Sequence, residues 1–231
     1  MQHPGSDESV WKNAPRGQRM QALKQATGLV SFKQRMGDVP FVIDQVTAWN
    51  KEEGHTLFQQ CDMERLGMCG HSYGAVTTLA MAGQGLPLHL NYEEKRFKAY
   101  FVMSPQPGKL LDLDKAFGHI TKPMLCMTGT KDASPIDKAM QPSDRQKVYA
   151  HLPTGDAFQL VLDGAAHHAF GDHDGHIKRK RNPKHHPAIQ QISLTFWLAY
   201  LQNDEAAKAW LKSQKVIADS DLGEEDQWYH K

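Results

Sequence analysis

Residues 65–84, RLGMCGHSYGAVTTLAMAGQ, contain the pattern that decides the fold. Residues 65–69 form a short apolar run that predicts a buried strand, and residues 73–84 are rich in small side chains and predict a helix. Between them, Gly70-His71-Ser72-Tyr73-Gly74 matches G-x-S-x-G. In this position the motif indicates a nucleophile elbow, a tight turn that lifts the serine hydroxyl above the end of the strand.

The elbow has two physical requirements that the sequence meets. Gly70 and Gly74 are expected because a Cβ would clash where helix and strand nearly touch. The backbone N–H of Tyr73 falls at the start of the predicted helix, where it could stabilise an oxyanion. The alternative is an ordinary Gly-Ser turn between a strand and a helix.

Other segments extend this pattern in both directions. Asp38 is expected to cap the helix that begins at residue 39, with Pro40 in its first turn. Strands that alternate with helices predict an α/β fold, a parallel sheet with helices on both faces. We expect a single domain over residues 1–218 and a mobile acidic tail over 219–231. The predicted strands are 97–103, 124–128 and 158–162, and the further helices are 17–27, 39–52, 142–150, 187–202 and 204–213.

A serine nucleophile needs a base and an acid that orients the base, and candidates for both follow predicted strands. Asp132 comes just after strand 124–128, with Asp137 as the second choice. His167 comes shortly after strand 158–162, with His168 as the alternative. Because parallel strands end at one edge of the sheet, these groups are expected to lie near Ser72. The alternative for Asp132 is a turn or cap aspartate.

The composition excludes several classes of protein. The 231 residues are 40% hydrophobic and 23% charged, with a net charge of +1. This is typical of a globular chain, without the overall charge expected for binding nucleic acid. No apolar run predicts a membrane span. The three cysteines predict no disulfide framework, and Cys69 is expected to be buried. Without a signal peptide the default location is cytoplasmic, and secretion stays open.

The motifs GHSYGAVTTLA, MTGTKDASP and DGAAHHAF resemble the dienelactone-hydrolase and platelet-activating-factor-acetylhydrolase-like branch of the α/β-hydrolases. QHPGSDESVW, RMGDVPFVIDQV and FWLAYLQNDEAAKAWL are also similar to that branch, so the resemblance covers nearly the whole chain. It implies carboxylic-ester hydrolysis through an acyl-enzyme, with Ser72, Asp132 and His167 as the triad. It implies neither a metal nor an organic cofactor.

The N-terminal part departs from that family. In the family, the segment similar to QHPGSDESVW follows the fourth strand, so we expect an N-terminally shortened sheet without the loop that carries the second oxyanion donor. Alternatively, His3-Pro4-Gly5 is that loop and residues 29–32 form a strand. Loss of one donor typically costs about 2.7–4 kcal/mol of transition-state stabilisation, so weak activity is expected. The strand before Ser72 would then be an exposed edge, covered by a helix from residues 17–52 or by a homodimer.

Weaker signals lie elsewhere. Six histidines cluster between His167 and His186, but their spacing fits no zinc motif, so a polar loop is favoured and no metal site is expected. Residues 178–181, KRKR, are interpreted as a solvated loop rather than a nucleic-acid surface. An acyl pocket could be lined by Trp11, His71 and Phe170, with Met20, Met36 and Tyr73 as further candidates.

The sequence therefore predicts a serine hydrolase that cleaves small-molecule esters. The alternatives are a thioesterase, lactonase or amidase with the same three residues, or an impaired hydrolase that acts as a binding or assembly module.

Overall fold

The computed structural model describes residues 1–3, 5, 7–108, 112–171 and 182–231. Contacts within the chain divide it into two compact units, Met1–Glu64 and Arg65–Lys231. The single domain that the sequence predicts over residues 1–218 stays a prediction.

The described residues of the unit Met1–Glu64 form the α-helices α1 (Ser9–Lys12), α2 (Arg19–Ala26) and α3 (Leu29–Trp49). The prediction that a helix begins at residue 39 was wrong, because α3 begins at Leu29 and has Gly28 as its N-cap. Asp38 therefore lies inside the helix, where its Oδ2 is 2.7 Å from His3 Nδ1. Residues 29–32 are the first turn of α3, so they do not form the strand that the alternative interpretation of His3-Pro4-Gly5 needs.

The unit Arg65–Lys231 alternates strands and helices as predicted. The described elements in chain order are β1 (Leu66–His71), α4 (Tyr73–Met81), β2 (Phe97–Met103), α5 (Leu113–Phe117), β3 (Met124–Lys131), α6 (Lys147–His151), β4 (Ala157–Ala166), α7 (His185–Leu201), α8 (Glu205–Leu211), α9 (Lys215–Asp219) and β5 (Gln227–His230).

The five strands form one sheet in the order β1-β2-β3-β4-β5. The pairs β1–β2, β2–β3 and β3–β4 are parallel, and β5 pairs antiparallel with β4. The predicted α/β class is confirmed. Because β1 to β4 run in one direction, the segments that follow them meet at one edge of the sheet, and these segments contain Ser72, Asp132 and His167.

Helices pack on both faces of the sheet. A Cβ on Gly67 would lie 2.5 Å from the Trp197 ring of α7, and a Cβ on Gly70 would lie 2.8 Å from Thr78 Oγ1 of α4. Residues three apart in a strand face opposite sides, so α7 and α4 cover opposite faces. The α7 side holds an aromatic core in which the Phe158 ring lies 6.2 Å from that of Phe196.

The tail after residue 218 was expected to be mobile, yet Gln227–His230 form β5. Trp228 explains the order of this strand. It is 8% exposed, its ring stacks on Phe158 at 5.8 Å, and its Nε1 donates a hydrogen bond to Leu211 O at 3.1 Å. Lys231 Nζ also donates to Leu152 O at 2.7 Å. Burial of one large aromatic ring outweighs the polar neighbours that suggested mobility.

The strand β1 lies at one end of the sheet formed by the described residues, next to β2. Cys69 within it is exposed, which corrects the expectation of a buried thiol. The side chain lies at the border of the sheet, where only one neighbouring strand covers it. Pairing of a second copy at this edge stays a prediction. No helix of the described part of the chain is long and apolar enough to cross a membrane.

Candidate active site

The backbone of Ser72 has the strained geometry expected of an elbow. Its φ is +57° and its ψ is −113°, a region that non-glycine residues rarely adopt. Its N–H donates to Met103 O of β2 at 3.0 Å, and α4 begins at the next residue, Tyr73. The structure therefore holds the serine between the end of β1 and the positive end of a helix, the position predicted for a nucleophile and for the Tyr73 oxyanion donor.

The two motif glycines are not equivalent. A Cβ on Gly70 would lie 2.2 Å from the carbonyl oxygen of Gly74, which is a backbone clash. A Cβ on Gly74 would meet nothing within 4 Å. The expectation that both glycines are required for steric reasons was thus wrong for Gly74, because its Cβ would point away from β1.

Asp132 lies just beyond β3 and is completely buried. Its Oδ2 accepts a hydrogen bond from Thr128 Oγ1 at 2.9 Å, and its Oδ1 lies 2.7 Å from His167 Nδ1. The second choice, Asp137, instead accepts a hydrogen bond at Oδ1 from the backbone N–H of Ala139 at 3.1 Å. The structure therefore brings Asp132 to the predicted base.

His167 begins the short 3-10 helix His167–Phe170 that follows β4. Its Nε2 lies 2.8 Å from Ser72 Oγ, while its Nδ1 faces Asp132. Its side chain is 18% exposed. Of the two predicted histidines, His167 is the one whose ring joins the serine to the aspartate.

Arg145 completes this group and was missed by the sequence analysis. It lies in the 3-10 helix Pro142–Gln146, and its side chain is completely buried with its Nε 3.0 Å from Asp132 Oδ1. Burial lowers the pKa of Arg145, the charge of Asp132 opposes this, and arginine keeps its proton at neutral pH. No motif marks an isolated arginine in a polar segment, so the sequence offers no signal for it.

His71 packs directly on the predicted base. Its ring lies 4.7 Å from that of His167 and 6.0 Å from that of Phe170. Its Nε2 is buried and makes no hydrogen bond within the described residues. Burial, followed by repulsion from His167, lowers the pKa of His71 to about 4. His71 is therefore neutral near pH 7 and adds an uncharged wall beside His167.

This shift predicts a loss of stability in acid. Folding holds the pKa of His71 near 4, below the ordinary value of 6.5, so the unfolded chain binds its proton first as the pH falls. The resulting reduction in the free energy of unfolding is absent above pH 6.5 and grows as the pH falls. It is complete below about pH 4, where it amounts to roughly 3 kcal/mol. The free energy of unfolding of His71→Phe, measured by urea titration, should decline less over this range than that of the parent chain. Parallel declines would contradict this assignment.

Several other residues of the predicted site and loop lie wholly or partly outside the described structure. Trp11 belongs to the unit Met1–Glu64, and its side chain lies outside the described part of the structure. Most of the predicted polar loop, including His173, His176 and the basic residues 178–181, also lies outside it. Among the described residues, no group of three or more His, Cys, Asp or Glu side chains could hold a metal ion.

Comparisons with protein families and with curated proteins find no match to this chain. A scan against protein-family models finds no matching family. A search of the curated proteins finds no significant match. The contacts among Ser72, His167 and Asp132 are therefore the basis on which a function is inferred.

Proposed function

We propose that this chain is a serine hydrolase that cleaves carboxylic esters of small molecules through an acyl-enzyme. The observation that carries the proposal is the continuous chain of contacts from Ser72 Oγ to His167 Nε2, 2.8 Å, and from His167 Nδ1 to Asp132 Oδ1, 2.7 Å. Both distances suit hydrogen bonds that move a proton from the serine while the carboxylate orients the ring.

In the first half of the reaction, Ser72 Oγ attacks the ester carbonyl carbon as its proton passes to His167 Nε2. The tetrahedral oxyanion lies near the start of α4, where the Tyr73 N–H is the proposed donor. Collapse of this intermediate breaks the ester C–O bond, and His167 gives its proton to the departing alcohol. Asp132 stabilises the imidazolium that exists between these two transfers.

In the second half, water replaces the alcohol. His167 takes a proton from the water as its oxygen attacks the acyl carbon, and then returns that proton to Ser72 Oγ as the acyl–serine bond breaks. The products are the carboxylic acid and the regenerated enzyme. All the proton transfers use groups of the chain itself, so the proposal calls for no cofactor.

Replacement of the serine tests this proposal. In Ser72→Ala, kcat for a short-chain p-nitrophenyl ester should fall at least about 10³-fold, because the nucleophile is gone and only binding and oxyanion stabilisation remain. The matched control is Ser193→Ala on α7, whose hydroxyl donates only to Gln190 O in the described structure, at 3.1 Å, and whose activity should be unchanged. Equal rates of ester hydrolysis for the parent chain and Ser72→Ala would refute the proposed hydrolase activity. Parallel assays with thioester, lactone and amide substrates identify the preferred acyl bond.

A further inference from the structure

The Arg145 side chain ties two loops together beneath the proposed site. Its Nε donates to the carbonyl oxygen of Asp132 at 2.7 Å, and its Nη1 donates to the carbonyl oxygens of Ser104 at 2.7 Å and Pro105 at 3.3 Å. Asp132 follows β3, and Ser104 follows β2. One buried guanidinium therefore fixes the segments at the ends of two neighbouring strands, using the planar fork of donors that only arginine has.

The same side chain contacts the charge of Asp132. Arg145 Nε lies 3.0 Å from Oδ1, and both side chains are 0% exposed. The other carboxylate oxygen is occupied by Thr128. A buried carboxylate needs hydrogen-bonding or charged partners, and this arrangement supplies a partner to each oxygen of Asp132 and so fixes its orientation.

Arg145 and Asp132 both contact the same atom of His167, the ring nitrogen Nδ1. Nη2 of Arg145 lies 3.2 Å from His167 Nδ1, which also faces Asp132 Oδ1 at 2.7 Å. When Nδ1 carries the proton, it donates to Asp132, and Nε2 can accept the proton of Ser72. When Nδ1 is bare, Arg145 can donate to it, and Nε2–H then points to Ser72 and blocks proton transfer. The shorter contact and the negative charge of Asp132 favour the first, productive tautomer.

The charged and titratable groups around this ring come from three directions. Asp132 approaches from the end of β3, Arg145 from the segment before α6, and His71 from β1. His71 is neutral near pH 7, so the charged groups that contact the ring in the described structure are the Asp132 carboxylate and the Arg145 guanidinium.

We propose that Arg145 is a positioning residue that holds the Asp132 carboxylate in place against Nδ1 of His167. The inference depends on the proposed hydrolase function for its kinetic consequences. It predicts that loss of the guanidinium loosens Asp132 and lowers kcat.

The test compares Arg145→Met with Arg145→Lys, which keeps a charge but not the fork. In Arg145→Met, kcat should fall roughly ten- to hundredfold with little change in KM, because the carboxylate that orients His167 is no longer held in place. Arg145→Lys should recover part of kcat. The control Lys147→Met removes a nearby exposed charge that pairs with Asp144 at 2.7 Å, and its kcat should not change. A folded Arg145→Met with the parent chain's kcat would overturn the proposal.

A second readout is independent of turnover. The Nδ1–H proton of His167, held against Asp132, should give a low-field proton resonance that moves upfield in Asp132→Asn, where a neutral amide oxygen replaces the carboxylate. This resonance should shift or broaden in Arg145→Lys, and an unchanged resonance would overturn the proposal even if Arg145→Met does not fold. If the parent chain shows no turnover that depends on Ser72, the hydrolase proposal fails, while the resonance still reports whether Arg145 positions the pair.

Discussion

Asp132→Asn is expected to lower kcat about 10⁴-fold without rearranging the site. Oδ1 faces the donors of Arg145 and His167, so the asparagine oxygen should take that position. The amide nitrogen would then face Thr128, whose hydroxyl can turn to accept. His167 could keep its orientation, but the charge that stabilises the imidazolium would be lost.

This substitution also leaves the Arg145 charge buried without its carboxylate, which typically costs about 3–5 kcal/mol of stability. The assay therefore needs the folded fraction, measured by circular dichroism at the assay temperature. The matched control is Asp137→Asn, which changes the second candidate and should leave kcat within about twofold, because Nδ1 of His167 faces Asp132, while Asp137 Oδ1 accepts a local hydrogen bond from the Ala139 N–H. Activity of folded Asp132→Asn within tenfold of the parent chain would remove Asp132 from its proposed role.

Gly70→Ala is expected to have the largest effect on folding. The new methyl group would lie 2.2 Å from the carbonyl oxygen of Gly74 and 2.8 Å from Thr78 Oγ1. Relief of the backbone clash requires β1 and α4 to separate, so destabilisation should exceed about 3 kcal/mol or prevent folding. The soluble yield and the urea midpoint measure this effect.

Gly74→Ala is the matched control at the other end of the motif. Its Cβ would meet nothing within 4 Å, and alanine in a helix is favoured over glycine by roughly 0.5–1 kcal/mol. It should fold and have a urea midpoint equal to or above that of the parent chain. Equal destabilisation by the two substitutions would contradict the helix–strand contact described for β1 and α4.

The sequence was sufficient to predict the parts of the site that depend on local pattern. Ser72, Asp132 and His167 each follow a short apolar run, and parallel strands bring such positions to one edge. Arg145 could not be predicted in this way. Its position is fixed by carbonyl oxygens about forty residues earlier in the chain, and no local pattern encodes such contacts.

The errors in the fold have similar causes. Asp38 and Pro40 match the pattern of a helix start, but α3 continues through them because Met36, Val39 and Ile43 are buried on both sides of Pro40, and their burial outweighs the hydrogen bond that proline cannot donate. The strand β5 was missed because one residue of it, Trp228, is buried while its neighbours are exposed. In both cases tertiary packing outweighed the local signal.

Covalent labelling of the serine tests the central claim most directly. The full chain is treated with a fluorophosphonate, which reacts with activated serine nucleophiles, and is examined by intact mass and peptide mapping. One adduct per chain should form on Ser72, and its formation should slow strongly in His167→Ala and be abolished in Ser72→Ala. No adduct on the folded parent chain, or an adduct that persists in Ser72→Ala, would show that Ser72 is not an activated nucleophile.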